Sequence, residues 1–391
     1  CVVVVERSRF AARTSVMVAG ELQRCTKKQS LRSTRKKSST RQHCSCCAPF
    51  LYKHTKNMAT LAASEAKNDT VDLHSKYAEN IVIDASKVEN LTLQTDRRDI
   101  LRDIEQKIQA RWKENKTFEI ILNIGPSTNL YFLDNEKYLQ KGISFWQNFA
   151  LPEKYYGFFY NYSDLDWAIN KLNSSGFEGD MAKAPCRDEV CSGANSGIYQ
   201  RPPHFGVGTF GINSADSIDT YRYGPLHIHE VTHSVVAAQW IGNARNPQQN
   251  ANDASPCWLN EGIAHAAGLS LGVKTYEEYL DIRSSQVTAR HIKAPFNEYS
   301  PSTILKYYNE SIPGICIRNP DYVLGYSIGF LTVEAMNAMA GADSAMHMYS
   351  AMASGKDFEE AFVLTYEISW NDAKPIFAEY VSSVISNLFN S

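Results

Sequence analysis

The sequence predicts an α+β protein in which a small mixed sheet is followed by a mostly helical half. Two observations indicate the sheet: Tyr155–Tyr162 is a run of aromatic residues, and His204–Asn213 is a glycine-rich segment of strand length. A third observation indicates the helical half. Helical patterns predominate from Gly224 onward, and Asp357–Leu388 alone predicts at least two helices.

The other elements of the first half follow in chain order. Residues 94–115 are rich in charge and predict an exposed helix, whereas 117–124 predict a strand. Residues 135–148 have the pattern of an amphipathic helix, and 164–173 predict another helix. We find no internal repeat, so the sequence does not indicate a repeat architecture.

The net charge of −2 conceals a strongly basic N-terminal segment. Residues 1–57 contain 13 Lys and Arg and 2 Asp and Glu, so the remaining residues contain 27 and 40. This basic leader fits an organellar transit peptide, a nucleic-acid-binding tail, or an extension that precedes a start at Met17 or Met58. We expect it to be disordered, and we favour a cytoplasmic or organellar location over secretion.

Composition excludes two classes of protein. Apolar residues make up 43% of the chain, which is enough for a large core and excludes global disorder. No run approaches the ~20 apolar residues of a membrane-spanning helix, so no transmembrane segment is expected.

Cys186 and Cys191 are spaced to close a small disulfide loop in an oxidising compartment, and their spacing does not fit a zinc knuckle.

The pentapeptide His229-Glu230-Val231-Thr232-His233 lies in a segment that predicts a helix over residues 225–241. Pro225 suits the first helical position, and Gly242 suits the position just after the end. Residues four apart share one helical face, so both imidazoles can reach one metal ion. Glu230 flanks that ion and can take a proton from a bound water. The alternative is two histidines with local partners on a buried helix.

A third candidate ligand lies downstream, in the segment Trp258-Leu259-Asn260-Glu261-Gly262-Ile263-Ala264. Burying a glutamate among such apolar residues is costly unless it is paired or bound to metal. Catalytic zinc usually has three protein ligands and one open position. Together the two motifs resemble those of the gluzincin clan of zinc peptidases, and the second is similar in wording to that of the zinc aminopeptidases.

This resemblance implies the site residues and the domain that holds them. His229, His233 and Glu261 would bind one Zn²⁺ per chain, and Glu230 would be the general base. A gluzincin-like catalytic domain would cover residues 135–391. The leader at 1–60 and an N-terminal extension at 61–134, with the charged helix and the first strand, would precede it.

The resemblance also implies a tyrosine that donates a hydrogen bond to the developing oxyanion, from a helix that begins Tyr-x-x-Gly. Tyr326 begins such a helix, and an apolar stretch continues from it to Gly341. Tyr322 begins the same four-residue pattern. We favour Tyr326 because its distance to Gly341 suits the family pattern better, and Tyr322 is the alternative.

Two residues near Glu261 are candidates for orienting the metal ligands. His265 lies four residues after Glu261 and therefore on the same helical face, and Asn260 directly precedes Glu261. The alternative for His265 is an ordinary, partly buried histidine with a local partner. His227 faces the opposite side of its helix from His229, and we interpret it as structural.

One spacing departs from the gluzincin pattern. His233 and Glu261 are 28 positions apart, which is longer than the usual gluzincin spacer. The excess falls in the polar stretch 243–255, which we interpret as an inserted surface loop. Such loops lengthen at little thermodynamic cost.

Gluzincins bind substrate as an extra antiparallel strand along an edge strand that precedes the zinc helix. The glycine-rich strand is the candidate, with the substrate-facing positions Phe205, Val207, Thr209 and Gly211. Zinc aminopeptidases have a Gly-x-Met-Glu-Asn motif there, whose glutamate binds a free ammonium, whereas this chain has Gly211-Ile212-Asn213-Ser214-Ala215. We therefore favour an endopeptidase over an aminopeptidase, with Asp216 or Asp219 as an alternative source of the carboxylate.

The function implied is hydrolysis of peptide bonds by a metal-activated water. The alternatives are a gluzincin-like hydrolase of a non-peptide bond and a zinc-containing binding module without catalysis. Glu230 argues against the second, because a structural zinc site does not need it. The expected partner is a peptide or protein substrate, and no nucleic-acid partner is expected for the catalytic domain.

Overall fold

The structure is a computed structural model that describes residues 103–104, 106–110, 118–214, 224–287, 299–314 and 325–390. All of them belong to one compact unit, Tyr77–Ser391. The predictions for the basic leader, for most of the N-terminal extension, for Tyr322 and for Asp216 and Asp219 lie outside the described residues.

A mixed sheet of four strands forms the first half of this unit, as predicted. The described residues contain six strands: β1 (Ile120–Ile124), β2 (Tyr155–Tyr160), β3 (Cys186–Arg187), β4 (Val190–Cys191), β5 (Gly193–Ile198) and β6 (Gly206–Gly211). The sheet has the order β1-β2-β6-β5, while β3 and β4 form a separate hairpin closed by the Cys186–Cys191 disulfide. β1, β2 and β6 are parallel, and β5 runs antiparallel to β6.

The position of β6 corrects the predicted substrate strand. β6 is paired along its whole length with β2 on one side and with β5 on the other, so it is an internal strand and not an edge. Phe205, Val207, Thr209 and Gly211 therefore lie on or beside a strand with no free side. β5 is the edge strand next to β6, and its composition conceals it, because Gly, Asn and, to a lesser degree, Ala are depleted in strands.

Helices dominate the rest of the described chain, which confirms the α+β class. They are α1 (Asn135–Phe145), α2 (Leu165–Ser174), α3 (Pro225–Ala238), α4 (Pro247–Ala254), α5 (Cys257–Gly272), α6 (Tyr276–Ser285), α7 (Pro301–Glu310), α8 (Phe330–Ala340), α9 (Ser344–Ala353), α10 (Phe358–Tyr366) and α11 (Trp370–Asn390). A π-helical turn, Gly325–Gly329, leads into α8. α3 begins as its sequence predicts, because Gly224 adopts a φ of 104° and Pro225 follows at the first helical position.

Two predicted surface features are wrong in part. The stretch 243–255 is not a structureless loop but contains α4, which begins at Pro247 and is capped by the Asn246 side chain accepting from the Gln249 amide at 3.1 Å. In the charged helix, the described residues are helical, but Ile104 and Ile108 are buried in the core. That helix is therefore not exposed all round.

The core lies mainly between the sheet and the helices of the second half. α3 and α5 are its centre, with Val231, Val235, Leu259 and Ile263 all buried. A smaller apolar cluster covers the other face of the sheet around Phe158 of β2. Within the described part of the chain, no helix is long and apolar enough to cross a membrane.

Candidate metal centre

Two histidines of α3 face one point. His229 and His233 lie one turn apart on the same side of the helix, and their Nε2 atoms are 3.0 Å apart. His229 is buried, whereas His233 keeps some exposure, so one side of the pair is reachable from solvent. The helical spacing that the sequence predicts therefore places two imidazole nitrogens together.

α5 brings a carboxylate to the same point. Glu261 Oε2 lies 3.4 Å from His229 Nε2 and 3.5 Å from His233 Nε2. With Zn–N and Zn–O bonds of about 2.0–2.2 Å, ligand atoms of a tetrahedral ion are about 3.3–3.6 Å apart. The two distances to Glu261 have this spacing, and the distance between the two imidazole nitrogens, 3.0 Å, is slightly shorter. The three side chains therefore form a group that could hold a metal ion.

Close packing of α3 on α5 sets this spacing. A Cβ atom on Gly268 of α5 would lie 2.5 Å from the Pro225 carbonyl oxygen and 3.3 Å from His229 Cβ. A larger residue at that position would separate the two helices, because a Cβ atom does not approach backbone oxygen so closely. Gly268 therefore permits the approach that brings Glu261 to the histidines.

The electrostatics of the three side chains are strongly coupled. Burial alone would raise the pKa of Glu261, but the adjacent His233 and His229 outweigh burial and hold that pKa well below its usual range. For His233 burial acts in the opposite direction and lowers the pKa. The negative charges of Glu261 and Glu230 more than offset burial, so the pKa of His233 is raised. The site therefore favours a negative carboxylate beside a positive charge.

Asn260 and His265 both lie at the site. His233 Nδ1 is 3.3 Å from Asn260 Oδ1, so an Nδ1–H donor leaves Nε2 with the lone pair that a metal needs. His265 is buried, and its ring meets the His229 ring edge-on at 5.5 Å. Asn260 thus contacts a candidate ligand directly, whereas His265 packs against one.

Glu230 is buried in α3 beside the two histidines. Its backbone carbonyl accepts a hydrogen bond from Ser196 Oγ of β5 at 2.6 Å, which fixes this part of α3 against the edge strand. The buried Tyr155 of β2 lies near Glu230. Burial first, and then the negative charge of Glu230, raise the pKa of Tyr155 well above its usual value. Sequence reasoning missed Tyr155 because nothing in an aromatic strand distinguishes it.

Tyr326 lies beside the candidate metal ligands, in the π-helical turn. Its ring is stacked on the His229 ring at 6.0 Å between centroids and meets His265 at 5.8 Å. The alternative, Tyr322, lies outside the described residues, so the structure does not compare the two.

His227 is separate from the candidate metal ligands, as predicted. Its Nε2 is 2.6 Å from Asn135 Oδ1, and its ring stacks on Phe159 and Phe210. Burial lowers the pKa of His227 to about 3, so it is a neutral part of the core.

β5, and not β6, is the strand that borders the centre. Besides the Ser196 bond to Glu230, the Gly197 carbonyl accepts from Ser234 Oγ of α3 at 2.7 Å.

Comparisons of this chain with protein-family models, with curated proteins and with solved structures found no match. The interpretation of the centre therefore depends on its geometry and its residue types.

Proposed function

We propose that this protein is a zinc-dependent peptidase of the gluzincin type. One observation carries the proposal: His229, His233 and Glu261 place three ligand atoms 3.0–3.5 Å apart, with Glu230 adjacent in the same buried helix. The order of a small sheet followed by a helical half, with the metal centre where they meet, is also that of gluzincins.

The chemistry divides between the metal and the chain's own residues. Bound zinc would polarise a carbonyl group and lower the pKa of a water molecule to roughly 7. Glu230 then accepts the proton of the attacking water and passes it to the leaving amine. Tyr326 donates a hydrogen bond to the oxygen on which negative charge develops. Asn260 fixes the orientation of the His233 ring.

The edge strand β5 supplies the place for a peptide, in the manner of an added strand. Its residues, Gly193-Ala194-Asn195-Ser196-Gly197-Ile198, include no carboxylate. Nothing in this strand would therefore offset the cost of desolvating a free ammonium group. The absence of a carboxylate in β5 favours cleavage of internal bonds over removal of N-terminal residues. The glycine-rich segment that forms β6 also lacks the glutamate of zinc aminopeptidases.

The first experiment separates zinc chemistry from the rival functions. The full-length protein should contain one zinc per chain and should digest a peptide library, and a chelator should abolish the digestion. Glu230→Gln should keep zinc and fold but lose nearly all turnover, because an amide cannot accept the proton. A zinc-loaded protein that digests no peptide, with or without Glu230, would be a binding module or a hydrolase of another bond.

The second experiment tests endopeptidase action. An N-acetylated peptide should be cut at least as well as its twin with a free N-terminus. Strict dependence on the free amine would make the protein an aminopeptidase and would leave the zinc chemistry intact.

A further inference from the structure

A glutamine from α4 lies against the end of the edge strand. Gln248 Oε1 accepts a hydrogen bond from the Ile198 amide of β5 at 3.1 Å. A Cβ atom on Gly197 would lie 2.7 Å from that same oxygen, so the carboxamide rests directly on the strand. Because a side chain in this position offers the acceptor that a neighbouring strand would offer, it occupies a strand-pairing position.

The direction of the Ile198 amide follows from the register of β5. In an antiparallel pair, successive residues point their backbone groups alternately toward and away from the partner strand. The Tyr199 amide donates to the Phe205 carbonyl on the β6 side at 2.8 Å. Alternation therefore directs the backbone groups of Ala194, Ser196 and Ile198 away from β6, toward the side where a peptide would add.

Gln248 is held in place and not merely near the strand. Its Nε2 atom donates to Asn252 Oδ1, one turn later in α4, at 3.3 Å. α4 itself starts at a Pro247 that follows the capping residue Asn246. The helix that interrupts the usual gluzincin spacing is therefore what places this acceptor.

We propose that Gln248 ends the strand-like contact between the enzyme and its peptide substrate, so that Ala194 and Ser196 carry that contact and Ile198 does not. This inference rests on the proposed function. An added antiparallel strand would bring its N-terminal part to Ile198, so Gln248 limits recognition on that side of the cut bond. The opposite end differs: a cavity of about 300 Å³ borders Gly193 and Ala194, with Arg187 and Val190 in its wall.

The test measures how recognition depends on peptide length. Peptides with one cleavable bond are lengthened one residue at a time on the N-terminal side, and kcat/KM is measured for each. For the natural protein, kcat/KM should stop rising once the peptide reaches Gln248. In Gln248→Ala the rise should continue for one or two residues more, by about 3- to 10-fold, because Ile198 gains a substrate partner.

Two variants serve as controls. Gln249→Ala changes the next residue of α4, whose side-chain Nε2 donates to Asp253 Oδ1 at 2.8 Å, so it should keep the natural length dependence. Gln248→Glu retains an acceptor oxygen and should therefore also keep the natural length dependence. Lengthening on the C-terminal side should affect the natural protein and Gln248→Ala equally.

Amide hydrogen exchange separates this inference from the proposed function. Exchange at Ile198 should quicken in Gln248→Ala and remain slow in Gln249→Ala, whether or not any peptide is hydrolysed. Unchanged exchange, or an identical plateau in Gln248→Ala and the natural protein, would overturn the role of Gln248. If the natural protein hydrolyses no peptide while the exchange result holds, the peptidase proposal fails and the hydrogen bond stands.

Discussion

Two buried glutamates of neighbouring helices have opposite surroundings. Glu334 of α8 is 3% exposed and Glu261 of α5 is 2% exposed. Arg283 binds the Glu334 carboxylate through Nε at 2.7 Å and Nη2 at 2.8 Å, and the hydroxyls of Tyr279 and Tyr380 each donate to it at 2.5 Å. Glu261 instead lies against two imidazoles.

The difference lies in what compensates the charge of each carboxylate. A guanidinium is always charged, so Arg283 compensates the Glu334 carboxylate within the fold. Imidazoles compensate a carboxylate only when they are protonated or when they share a cation with it. Glu334 therefore ties α6, α8 and α11 together, whereas the Glu261 group could hold a metal ion.

Removing Glu261 should have the largest effect on function. Glu261→Ala should lose most of the zinc and all peptide hydrolysis, because it deletes one of three ligands. Metal content by mass spectrometry and a zinc titration with a competing chelator would measure this. Stoichiometric zinc at unchanged affinity would show that the carboxylate is not a ligand.

Removing Glu334 should instead reduce stability. Glu334→Ala leaves the Arg283 guanidinium buried without its carboxylate, which typically costs about 3–5 kcal/mol. Denaturant unfolding should show this loss, while the folded variant keeps one zinc per chain. Loss of zinc without loss of stability would contradict the structural role of Glu334.

A pair of tyrosines sharpens the same contrast. Tyr326→Phe should lower turnover by about 10²–10³, as is typical when one oxyanion donor is removed, with little change in stability or zinc content. Tyr380→Phe removes a hydroxyl from the Glu334 group and should lower stability while sparing turnover. If Tyr326→Phe stays active and Tyr322→Phe loses turnover, Tyr322 is the donor.

The smallest effect concerns the residue that orients a ligand. Asn260→Ala should weaken zinc binding by about 10- to 100-fold, which is typical of partners that hold a metal-binding histidine. Asn260→Asp, which retains the acceptor, should recover most of the affinity. Equal affinity in all three proteins would mean that the 3.3 Å contact does not orient His233.

The sequence predicted helical periodicity well and strand neighbours poorly. The spacing of His229 and His233 follows from one helix, so its geometry was predictable, and the apolar surroundings of Glu261 indicated that it was buried with a partner. The edge strand was missed because β5 is built from Gly, Asn and Ser, and its pairing with β6 is a tertiary contact. The helix α4 was missed because its core-facing residues, Pro247, Ala251 and Ala254, are small and lie among Asn, Gln and Asp.

Gly268 has a consequence for the thermodynamics of metal uptake. Since a backbone contact between α3 and α5 sets the distance from Glu261 to the histidines, the conformational entropy of assembling the ligands is lost when the protein folds. The three ligand side chains are therefore already in position before a metal ion binds. The free energy of binding is not reduced by the cost of ordering the two helices. Far-ultraviolet circular dichroism should therefore be nearly the same with and without zinc.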